Sequence, residues 1–484
     1  MNMKHGHPGE FPHGIEPLWG WAVALALLAV AAAFRVPGVM GHIFDQDELY
    51  TLVESTHLFS TTLEPGIEAR PVYYLLQHAL LGVVPHTEIG LRILPMIFGL
   101  AGVLLTWWIA TRLAGRTAGL MAGILVAAAP WHVYVSSTAR YYSLVYLLAA
   151  GFFYCFLRAA RDSNGWKWHV SAVTCLILGA STHPTFVFPA FAGSALVVVA
   201  AWALRRLNGV SPWRLIGGVA VPFAVFLSIA FGILVSIGRE TAVRNLEGRG
   251  ITAVLNLIPG VIEWISPLLL VAALVASFGL LRHSSRTSDL VWSLMALGGI
   301  IGTLVILFVA ALVTNSYPYY ATAMLPLIFV TLGVGIARLT ALLPTRRGWA
   351  AAALVVILLA GISPGAVSQL THGTKFDYRP ALEQARAETD GDLVLAWPII
   401  VQRYYAPDLR SREFRPNPDY LAGILAAEGS FWAIASRRRH GLVGDAGDAA
   451  RRWLSRECEE VNSFQGRRFD FRFYEVILYR CGTP

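Results

Sequence analysis

Long apolar runs dominate the first three quarters of the chain, and each run is close to the length that crosses a bilayer. A helix needs about 20 predominantly apolar residues to span the hydrocarbon core. The runs predict about eleven transmembrane helices, near residues 17–34, 89–111, 117–135, 141–158, 168–182, 185–204, 214–237, 264–281, 290–313, 319–337 and 349–369. The first run has some features of a signal peptide, but it is long and its leader carries little positive charge, so we interpret it as a retained helix.

The overall composition agrees with a polytopic α-helical membrane protein. Of the 484 residues, 56% are hydrophobic and 14% are charged, whereas soluble domains carry about 25% charged residues. This deficit of charge excludes an ordinary soluble enzyme. The net charge of +8 comes from short basic loops, and the sequence has no basic-aromatic motif that would indicate nucleic acid as a partner.

Basic residues fall in alternate loops between the apolar runs, which predicts how the chain is oriented. Lys and Arg in short loops stay on the cytoplasmic side. The basic loops contain Arg112 and Arg116; Arg158, Arg161 and Lys167; Arg205, Arg206 and Arg214; Arg282 and Arg286; and Arg346 and Arg347. We therefore expect an integral plasma (inner) membrane protein with a cytoplasmic N-terminus, and with residues 36–88 and everything after 370 on the periplasmic or extracytoplasmic side.

The composition changes near residue 372, where charges become dense and apolar runs become short. This change predicts a transmembrane domain at 1–371 and a soluble extracytoplasmic α/β domain at 372–484, whose roughly 110 residues are a common domain size. The pattern in the second part predicts helices at 377–388 and 445–457, and strands at 392–397, 431–435 and 469–479.

The four cysteines divide between the two predicted domains. Cys155 and Cys175 fall in predicted membrane helices, where a buried apolar role is expected. Cys458 and Cys481 flank the last predicted strand of the outer domain, in a compartment that permits disulfides. We therefore treat Cys458 and Cys481 as a candidate disulfide.

Three carboxylates, at Asp45, Asp47 and Glu48, follow directly after the first apolar run. Ionisable residues close to membrane depth usually lie in a water-filled cavity or a protein interior and mark functional sites. The cluster is therefore a candidate active site in the first external loop (36–88), and a solvated loop is the alternative. In the same loop, residues 71–82 are apolar over about half a membrane length, which predicts an interfacial helix that roofs the cluster.

Several short motifs occur in an order that resembles one family of membrane enzymes. They are Asp47-Glu48-Leu-Tyr-Thr51, Arg70-Pro71-Val-Tyr-Tyr74 with His78, Glu88-Ile-Gly-Leu-Arg92, Pro130-Trp-His-Val-Tyr134, Ala139-Arg140-Tyr-Tyr-Ser-Leu144, Thr182-His183, Tyr317-Pro-Tyr-Tyr320 and Asp377-Tyr-Arg379. Their order and the predicted topology resemble the GT-C membrane glycosyltransferases, in the group that includes protein O-mannosyltransferases and the lipid A aminoarabinose transferase. The resemblance covers nearly the whole chain and is much less specific for the substrate than for the superfamily.

The resemblance implies a GT-C fold and an enzyme that transfers a sugar from a polyprenyl-phosphate carrier to an acceptor on the outer face of the membrane. Asp47 matches the catalytic aspartate of the family, and a carboxylate there accepts the proton of the acceptor hydroxyl. Transfer is then a single inverting displacement through a transition state with oxocarbenium character. Glu48 orients the acceptor or balances charge, or else is a structural residue. Asp45 lies outside the match, and we expect it to be solvated in the loop.

The phosphate of such a donor requires fixed cations, which arginine supplies with permanent charge. Arg70 matches the basic residue that precedes proline in the aminoarabinose transferase pattern and is the first candidate. Arg140 is the second candidate, with snorkelling to the membrane interface as the alternative. Arg92 is expected to pair with Glu88, one helical turn earlier.

Aromatic residues near the predicted outer interface are a further group of candidate substrate contacts: Tyr73, Tyr74, Tyr141, Tyr142, Tyr319 and Tyr320. Aromatic belts are normal at that depth, so we expect most of these residues to be interfacial anchors and a minority to contact the sugar or the phosphate. His183 either faces the cavity or is a hydrogen-bonded packing residue.

No metal or other cofactor is predicted to be required. Many bacterial relatives carry Gln-Glu before the Ala-Arg pair, whereas this chain has Ser137-Thr138, so a second acidic site is missing. No set of Cys and His has the spacing of a zinc site, and His5, His7 and His13 look incidental. A divalent metal is the less favoured alternative.

Two other classes of function fit a membrane protein of this composition. A transporter or flippase of lipid-linked sugars also needs an apolar groove with arginines, but it usually carries polar residues at mid-membrane sites, and the predicted spans contain almost none. A non-catalytic receptor leaves the Asp47-Glu48 pair unexplained. We therefore expect a glycosyltransferase whose partners are membrane lipid and a polyprenyl-phosphate-linked sugar. The sequence does not indicate whether the acceptor is a protein, a lipid or a polysaccharide.

Overall fold

The computed structural model describes most of the chain: residues 17–58, 70–162, 165–203, 251–284, 286–312, 316–342, 347–372, 377–389, 391–436, 444–467 and 473–482, with five isolated positions between 204 and 250. The predicted span at 214–237 lies outside the described residues, as do His5, His7 and His13. Apolar runs form most of the helices described up to residue 372, which are α1 (Pro17–Gly41), α2 (Gln46–Thr56), α3 (Pro71–Leu81), α4 (Glu88–Ala114), α5 (Arg116–Ala128), α6 (Pro130–Ser137), α7 (Tyr142–Arg161), α8 (Trp166–Thr182), α9 (Val187–Ala203), α10 (Ile251–Ile265), α11 (Pro267–His283), α12 (Thr287–Ala311), α13 (Leu325–Ala341) and α14 (Arg347–His372). Short 3-10 helices lead into α9 and α13, at Pro184–Phe186 and Pro318–Met324.

Seven helical stretches in the described residues are long and apolar enough to cross a membrane: Gly20–Gly41, Glu88–Ala114, Tyr142–Arg161, Pro184–Trp202, Thr287–Ala311, Pro318–Ala341 and Trp349–Val367. The bent pair of α5 and α6 makes an eighth if the two helices form one span. The predicted number of eleven spans is therefore not confirmed. Helices α8 and α11 account for part of the difference, because each has 17 residues. At about 1.5 Å per residue they fall short of a hydrocarbon core about 30 Å thick.

A bend of 59° separates α5 from α6. Pro130 is the first residue of α6, and proline has no N–H with which to continue the hydrogen bonds of a preceding helix. The residue before a proline is also disfavoured in helical backbone, and Ala129 is extended, with φ −65° and ψ 119°. The predicted straight span at 117–135 is therefore two helices.

Arg35, near the end of α1, ties α1 to both sides of this bend. Its guanidinium donates to the carbonyls of Ala31, at 2.7 Å, and Ala127, at 3.0 Å, and lies 2.6 Å from Nδ1 of His132. Since arginine has only donors, Nδ1 of His132 is the acceptor. Both side chains are fully buried. Arg35 lies one residue beyond the predicted span at 17–34, and His132 lies near the end of the predicted span at 117–135.

The C-terminal part contains one mixed sheet of five strands in the order β2-β1-β3-β5-β4. The strands are β1 (Leu393–Ala396), β2 (Ser411–Glu413), β3 (Phe431–Ser436), β4 (Cys458–Arg467) and β5 (Phe473–Cys481). Strand β1 runs parallel to β2 and β3, and β5 runs antiparallel to β3 and β4. The accompanying helices are α15 (Arg379–Glu388), α16 (Ile399–Tyr405), α17 (Pro418–Glu428) and α18 (Gly444–Glu457).

The sequence pattern found the central strands of this sheet and missed its two edges, β2 and β4. Edge strands carry polar residues and lack the continuous burial of central strands, so their sequences resemble loops. Strands β4 and β5 bring Cys458 opposite Cys481, and these two cysteines form a disulfide. Cys155 is buried and Cys175 is partly buried, and neither forms a disulfide.

One hydrophobic cluster joins the sheet region to the segment around α2. Phe44 and Leu49, before and within α2, belong to the same buried cluster as Val401 of α16 and Trp432 of β3. Burial of such apolar surface is the main stabilising contribution to an interface of this kind. The C-terminal α/β region therefore packs directly on the segment that carries the acidic residues.

Candidate active site

Asp45 begins the helix that carries the acidic cluster. Its Oδ1 accepts a hydrogen bond from the backbone N–H of Glu48 at 2.9 Å, and Glu48 Oε2 accepts one from the N–H of Asp45 at 3.2 Å. This reciprocal pair is a capping box, which satisfies two N–H groups at the start of a helix. Asp45 is only 9% exposed. The expectation that Asp45 is solvated in a loop was therefore wrong, because the residue is the N-cap of α2.

Glu48 forms a buried ion pair with Arg92. The guanidinium donates from Nε to Oε1 and from Nη2 to Oε2, each at 2.7 Å, and both side chains are 1% exposed. Burial alone raises the pKa of a carboxyl, but Arg92 and the backbone N–H groups of Ala139 and Asp45 lower the pKa of Glu48 below its ordinary value. Glu48 is therefore a carboxylate at neutral pH.

The predicted pairing of Arg92 with Glu88 was wrong. Glu88 accepts a hydrogen bond from the hydroxyl of Tyr405 instead. The other donors of Arg92 reach the backbone carbonyls of His42, at 2.7 Å, and Ile43, at 2.8 Å. Arg92 therefore joins α4 to the chain between α1 and α2.

Glu48 also binds the segment that follows α6. Its Oε1 also accepts a hydrogen bond from the backbone N–H of Ala139 at 2.8 Å. With Arg92 and Asp45 this makes four donors on one carboxylate, which is its full capacity. The geometry favours the structural alternative for Glu48, since no lone pair is left for an acceptor hydroxyl.

Arg140 lies next to Asp47 in this arrangement. Its Nη1 donates to the backbone carbonyl of Asp47 at 2.9 Å and to the hydroxyl of Thr51 at 3.2 Å. Arg140 is 9% exposed, so it does not snorkel to the membrane surface. The Asp47 side chain is partly exposed.

A small cavity of about 20 Å³ lies against Asp47 and Arg140. A cavity of this size holds a water molecule, whereas a bound sugar requires much more room. The remaining lining residues are Tyr134, Val135, Thr138, Tyr142 and Tyr319. Thr138 stands where many relatives carry the missing acidic residue, and its hydroxyl donates to the carbonyl of Tyr134 at 2.9 Å.

Two arginines flank the ring of Tyr141. The guanidinium carbon of Arg70 lies 4.8 Å from the ring centroid, and that of Arg140 lies 5.0 Å from it. Arg70 is the N-cap residue of α3, and Arg140 lies two residues before the start of α7, whose N-cap is Tyr141. The face of an aromatic ring attracts cations at these distances. Tyr141 therefore holds two positive charges close together, beside Asp47.

His183 packs against the same ring. The imidazole stacks on Tyr141 with centroids 5.0 Å apart, and its Nδ1 lies 2.7 Å from the hydroxyl of Thr185. Burial, together with the charges of Arg70 and Arg140, holds the pKa of His183 well below its ordinary value. His183 is therefore a neutral, buried packing residue at the edge of the candidate site.

The candidate tyrosines form one cluster with Tyr141. Tyr73, Tyr74, Tyr141 and Tyr142 are each less than 8% exposed, so the expectation that most of them are interfacial anchors was wrong for these four. The Tyr319 ring is tilted against the Tyr142 ring, with centroids 5.1 Å apart. The Tyr320 ring lies against the His183 ring, also with centroids 5.1 Å apart. Among the described residues, the buried hydroxyl of Tyr73 has no hydrogen-bond partner, which makes it a candidate ligand group.

In the part of the chain that the structure describes, no group of three or more His, Cys, Asp and Glu side chains is arranged to hold a metal ion. Sequence reasoning did not single out Thr51, Tyr134 and Tyr405, and it considered Thr138 only as the position of a missing acidic residue. Thr51 and Tyr134 are the last residues of two motifs quoted above, and Thr138 directly follows Ser137. The sequence signal for these residues was therefore their place in or next to those motifs. Tyr405 had no local signal, because its partners are more than 300 residues away.

Comparisons with known proteins agree with the motifs. A family model described as dolichyl-phosphate-mannose-protein mannosyltransferase matches residues 64–230, about a third of the chain. This stretch includes Arg70, Arg140 and His183. No curated protein shows significant sequence similarity to the chain.

Solved structures share the fold over nearly the whole chain. ArnT from Cupriavidus metallidurans in the apo state aligns with a TM-score of 0.57 and 14% identity, over 97% of this chain and 100% of that one. ArnT bound to undecaprenyl phosphate aligns with a TM-score of 0.54. The Archaeoglobus fulgidus oligosaccharyltransferase tethered to an acceptor peptide aligns with a TM-score of 0.57 and 12% identity, over 95% of this chain and 74% of that one.

The fold and the site together define an integral membrane protein with a polar cluster next to its apolar helices. Its fold is that of the GT-C glycosyltransferases. The resemblance to the group of protein O-mannosyltransferases and the aminoarabinose transferase, predicted from the sequence motifs, is thereby confirmed.

Proposed function

We propose that the protein is a glycosyltransferase that moves a sugar from a polyprenyl-phosphate carrier to an acceptor on the outer face of the membrane. The observation that carries this proposal is the cavity where the partly exposed Asp47 meets Arg140. A carboxylate and a cation beside an apolar bundle are what the transfer of a phosphate-linked sugar requires. Arg70 adds a second cation within the same cluster.

The proposed reaction is a single displacement at the anomeric carbon. The acceptor oxygen forms a bond to that carbon while the bond from the carbon to the phosphate oxygen breaks. Asp47 takes the proton of the acceptor hydroxyl, and the leaving phosphate keeps the electron pair of the broken bond. Arg70 and Arg140 stabilise the charge that develops on the phosphate. The product is a glycoside with inverted configuration, together with free polyprenyl phosphate.

The sugar and phosphate require more space than the cavity of about 20 Å³ provides. Tyr142 and Tyr319 line the cavity and also pack on each other, so their rings have to separate when a donor binds. Tyr73, whose ring packs edge-to-face on Tyr141, offers its buried hydroxyl. Tyr74, Tyr141, Tyr320 and His183 complete the wall of the proposed donor site.

The proteins of similar fold support a lipid-linked donor. ArnT binds undecaprenyl phosphate in one of the matching structures, and the oligosaccharyltransferase AglB binds a dolichol-phosphate in another. The matching family model is also described by a dolichyl-phosphate sugar. A polyprenyl phosphate is common to the two bound ligands and to the description of the family model, and we propose it as the sugar carrier of this protein.

The alternation of basic loops supports an outward-facing site. With the N-terminus in the cytoplasm, α2 and the region after about residue 372 lie on the extracytoplasmic side. We accordingly propose that 1–371 is the catalytic transmembrane domain and that 372–484 is an extracytoplasmic α/β domain. No metal ion is assigned a part in this reaction.

The test is release of polyprenyl phosphate by the purified full-length protein in lipid, with a panel of polyprenyl-phosphate sugars and crude cell-envelope acceptors. We expect release from one sugar donor, and none when nucleotide sugars replace the lipid donors. Protein that binds the lipids but does not release polyprenyl phosphate from any of them would contradict the proposal and favour a flippase or receptor.

A further inference from the structure

Tyr405 links the outer α/β region to the start of the helix that carries Asp47. Its hydroxyl accepts a hydrogen bond from the backbone N–H of Phe44 at 2.7 Å and donates one to Oε1 of Glu88 at 2.7 Å. Burial, together with the hydrogen bond to Glu88, raises the pKa of Tyr405 above its ordinary value. The hydroxyl therefore stays protonated and keeps its donor.

The two partners of Tyr405 belong to the segments that hold α2 in place. Phe44 is fully buried and immediately precedes the N-cap Asp45. Glu88 is the first residue of α4, and Arg92, one turn later, holds Glu48. The Tyr405 hydroxyl therefore contacts both the residue before the N-cap of α2 and α4, the helix whose Arg92 forms the ion pair with Glu48.

Helix α2 depends on such outside contacts for its position. It has 11 residues, and a helix of this length is marginal in isolation. Its capping box fixes its first turn, and the four donors on Glu48 fix one face. Two residues of α16 contact Phe44, where the chain leads into α2. Tyr405 accepts a hydrogen bond from the Phe44 N–H, and Tyr404 packs edge-to-face on the Phe44 ring with centroids 5.3 Å apart.

We propose that Tyr405 is a positioning residue that sets the place of Asp47 from the outer α/β region, so that this region is a part of the catalytic unit. The inference rests on the function proposed above for Asp47. Loss of the hydroxyl leaves the N–H of Phe44 and one oxygen of Glu88 without their partner in a partly buried place. Such groups cost free energy unless they move to find water, and a small displacement of a catalytic group is expensive in rate.

Tyr404 provides a matched control on the same helix. It is also a tyrosine, it also packs on Phe44, and its hydroxyl donates to the carbonyl of His86 at 3.2 Å. That hydroxyl donates its hydrogen bond to His86 and takes no part in the hydrogen bonds of the Phe44 N–H and Glu88 with Tyr405. Replacing Tyr404 by Phe therefore removes the same atom from the same surface without touching the proposed positioning contact.

The experiment compares full-length wild type, Tyr405→Phe and Tyr404→Phe in lipid, with two measurements. The first is kcat and KM for the donor that gives turnover. The second is hydrogen exchange of the backbone amides of residues 46–51, with β3 as an internal reference. The exchange measurement does not depend on any assumed substrate.

We expect Tyr405→Phe to lower kcat by about tenfold, the effect of one lost hydrogen bond to a charged group, with KM for the donor unchanged within about twofold. Exchange of residues 46–51 should rise several-fold while β3 stays protected, and Tyr404→Phe should change neither quantity. A merely structural Tyr405 would leave kcat unchanged in protein that remains folded.

Unchanged exchange at 46–51 in Tyr405→Phe, or equal effects of the two variants, would overturn the inference. If wild type releases no polyprenyl phosphate from any donor, the proposed function fails, and exchange alone then supports or overturns the role of Tyr405. If Tyr405→Phe yields no folded protein, Glu88→Ala removes the acceptor of the same hydroxyl and is judged by the same exchange criterion.

Discussion

Glu48 and Arg92 form a bidentate ion pair that is almost fully buried, although the two residues are 44 positions apart in the sequence. The pair connects α2 to α4, and through the N–H of Ala139 it also reaches the segment after α6. Asp47, the next residue before Glu48, is thereby held beside Arg140. The acidic cluster is thus divided by its contacts: Asp45 and Glu48 build the helix and its supports, and Asp47 is left partly exposed at the cavity.

Removing the charge of Glu48 should destabilise the protein strongly. In Glu48→Gln the guanidinium of Arg92 stays buried without a counter-ion, and breaking a buried pair in this way costs about 3–5 kcal/mol. The thermal unfolding temperature in detergent should fall, and the double variant Glu48→Gln with Arg92→Met should recover part of the loss. A double variant that is less stable than Glu48→Gln alone would contradict this explanation.

The buried His183 should make stability depend on pH. Its pKa in the folded protein lies well below the value near 6.5 of an exposed histidine, so the unfolded state binds more protons as the pH falls. The contribution of the neutral ring is fully present above about pH 6.5 and is lost as the pH falls toward the folded-state pKa. Unfolding temperatures measured from pH 7.5 to 5 should therefore drop more for wild type than for His183→Gln. Parallel curves for the two proteins would show that His183 is not held neutral.

Arg70 should matter for the lipid donor and not for folding. In Arg70→Gln one of the two cations next to Tyr141 is lost, and a hydrogen bond to a charged group is worth about 1.5–3 kcal/mol. We expect kcat/KM for the donor to fall by roughly 10- to 100-fold, with an unfolding temperature near that of wild type. Arg379→Gln is the control, because Arg379 forms an exposed ion pair with Asp377 in the C-terminal region, and the kcat/KM of this variant should stay unchanged. A similar loss in both variants would mean that Arg70 has no specific role.

Much of the helical architecture was predictable from the sequence, because each membrane span is specified locally by its own apolar residues. The number of spans was less predictable, since α11 is apolar but short, and α8 is equally short and begins with the polar residues Lys167 and His169. The capping box of α2 was also visible in the sequence as Asp45-x-x-Glu48, which fits the general pattern of an acidic N-cap and Glu at the third helical position. Interpreting Asp45 as a loop residue missed this signal.

The contacts that position the candidate site could not be predicted in the same way. Glu88 was assigned to Arg92 because the two are one turn apart, whereas in the structure each binds a residue from a distant segment. Burial selects these partners, since a buried charge takes the nearest group that completes its hydrogen bonds. The link from Tyr405 to Phe44 and Glu88 depends on how the C-terminal α/β region packs, and no local pattern encodes it.

The most direct measurement is the rate of polyprenyl phosphate release by Asp47→Asn, compared with wild type and with Asp162→Asn. Asp162 is a suitable control because it forms a partly exposed ion pair with Arg158 at the opposite end of α7 from Tyr142. A general base contributes roughly 10²- to 10⁴-fold to a rate, and we predict a loss of that size in Asp47→Asn, with the unfolding temperature and lipid binding retained and with no loss in Asp162→Asn. Release by Asp47→Asn at the wild-type rate would contradict the assignment of Asp47 as the base.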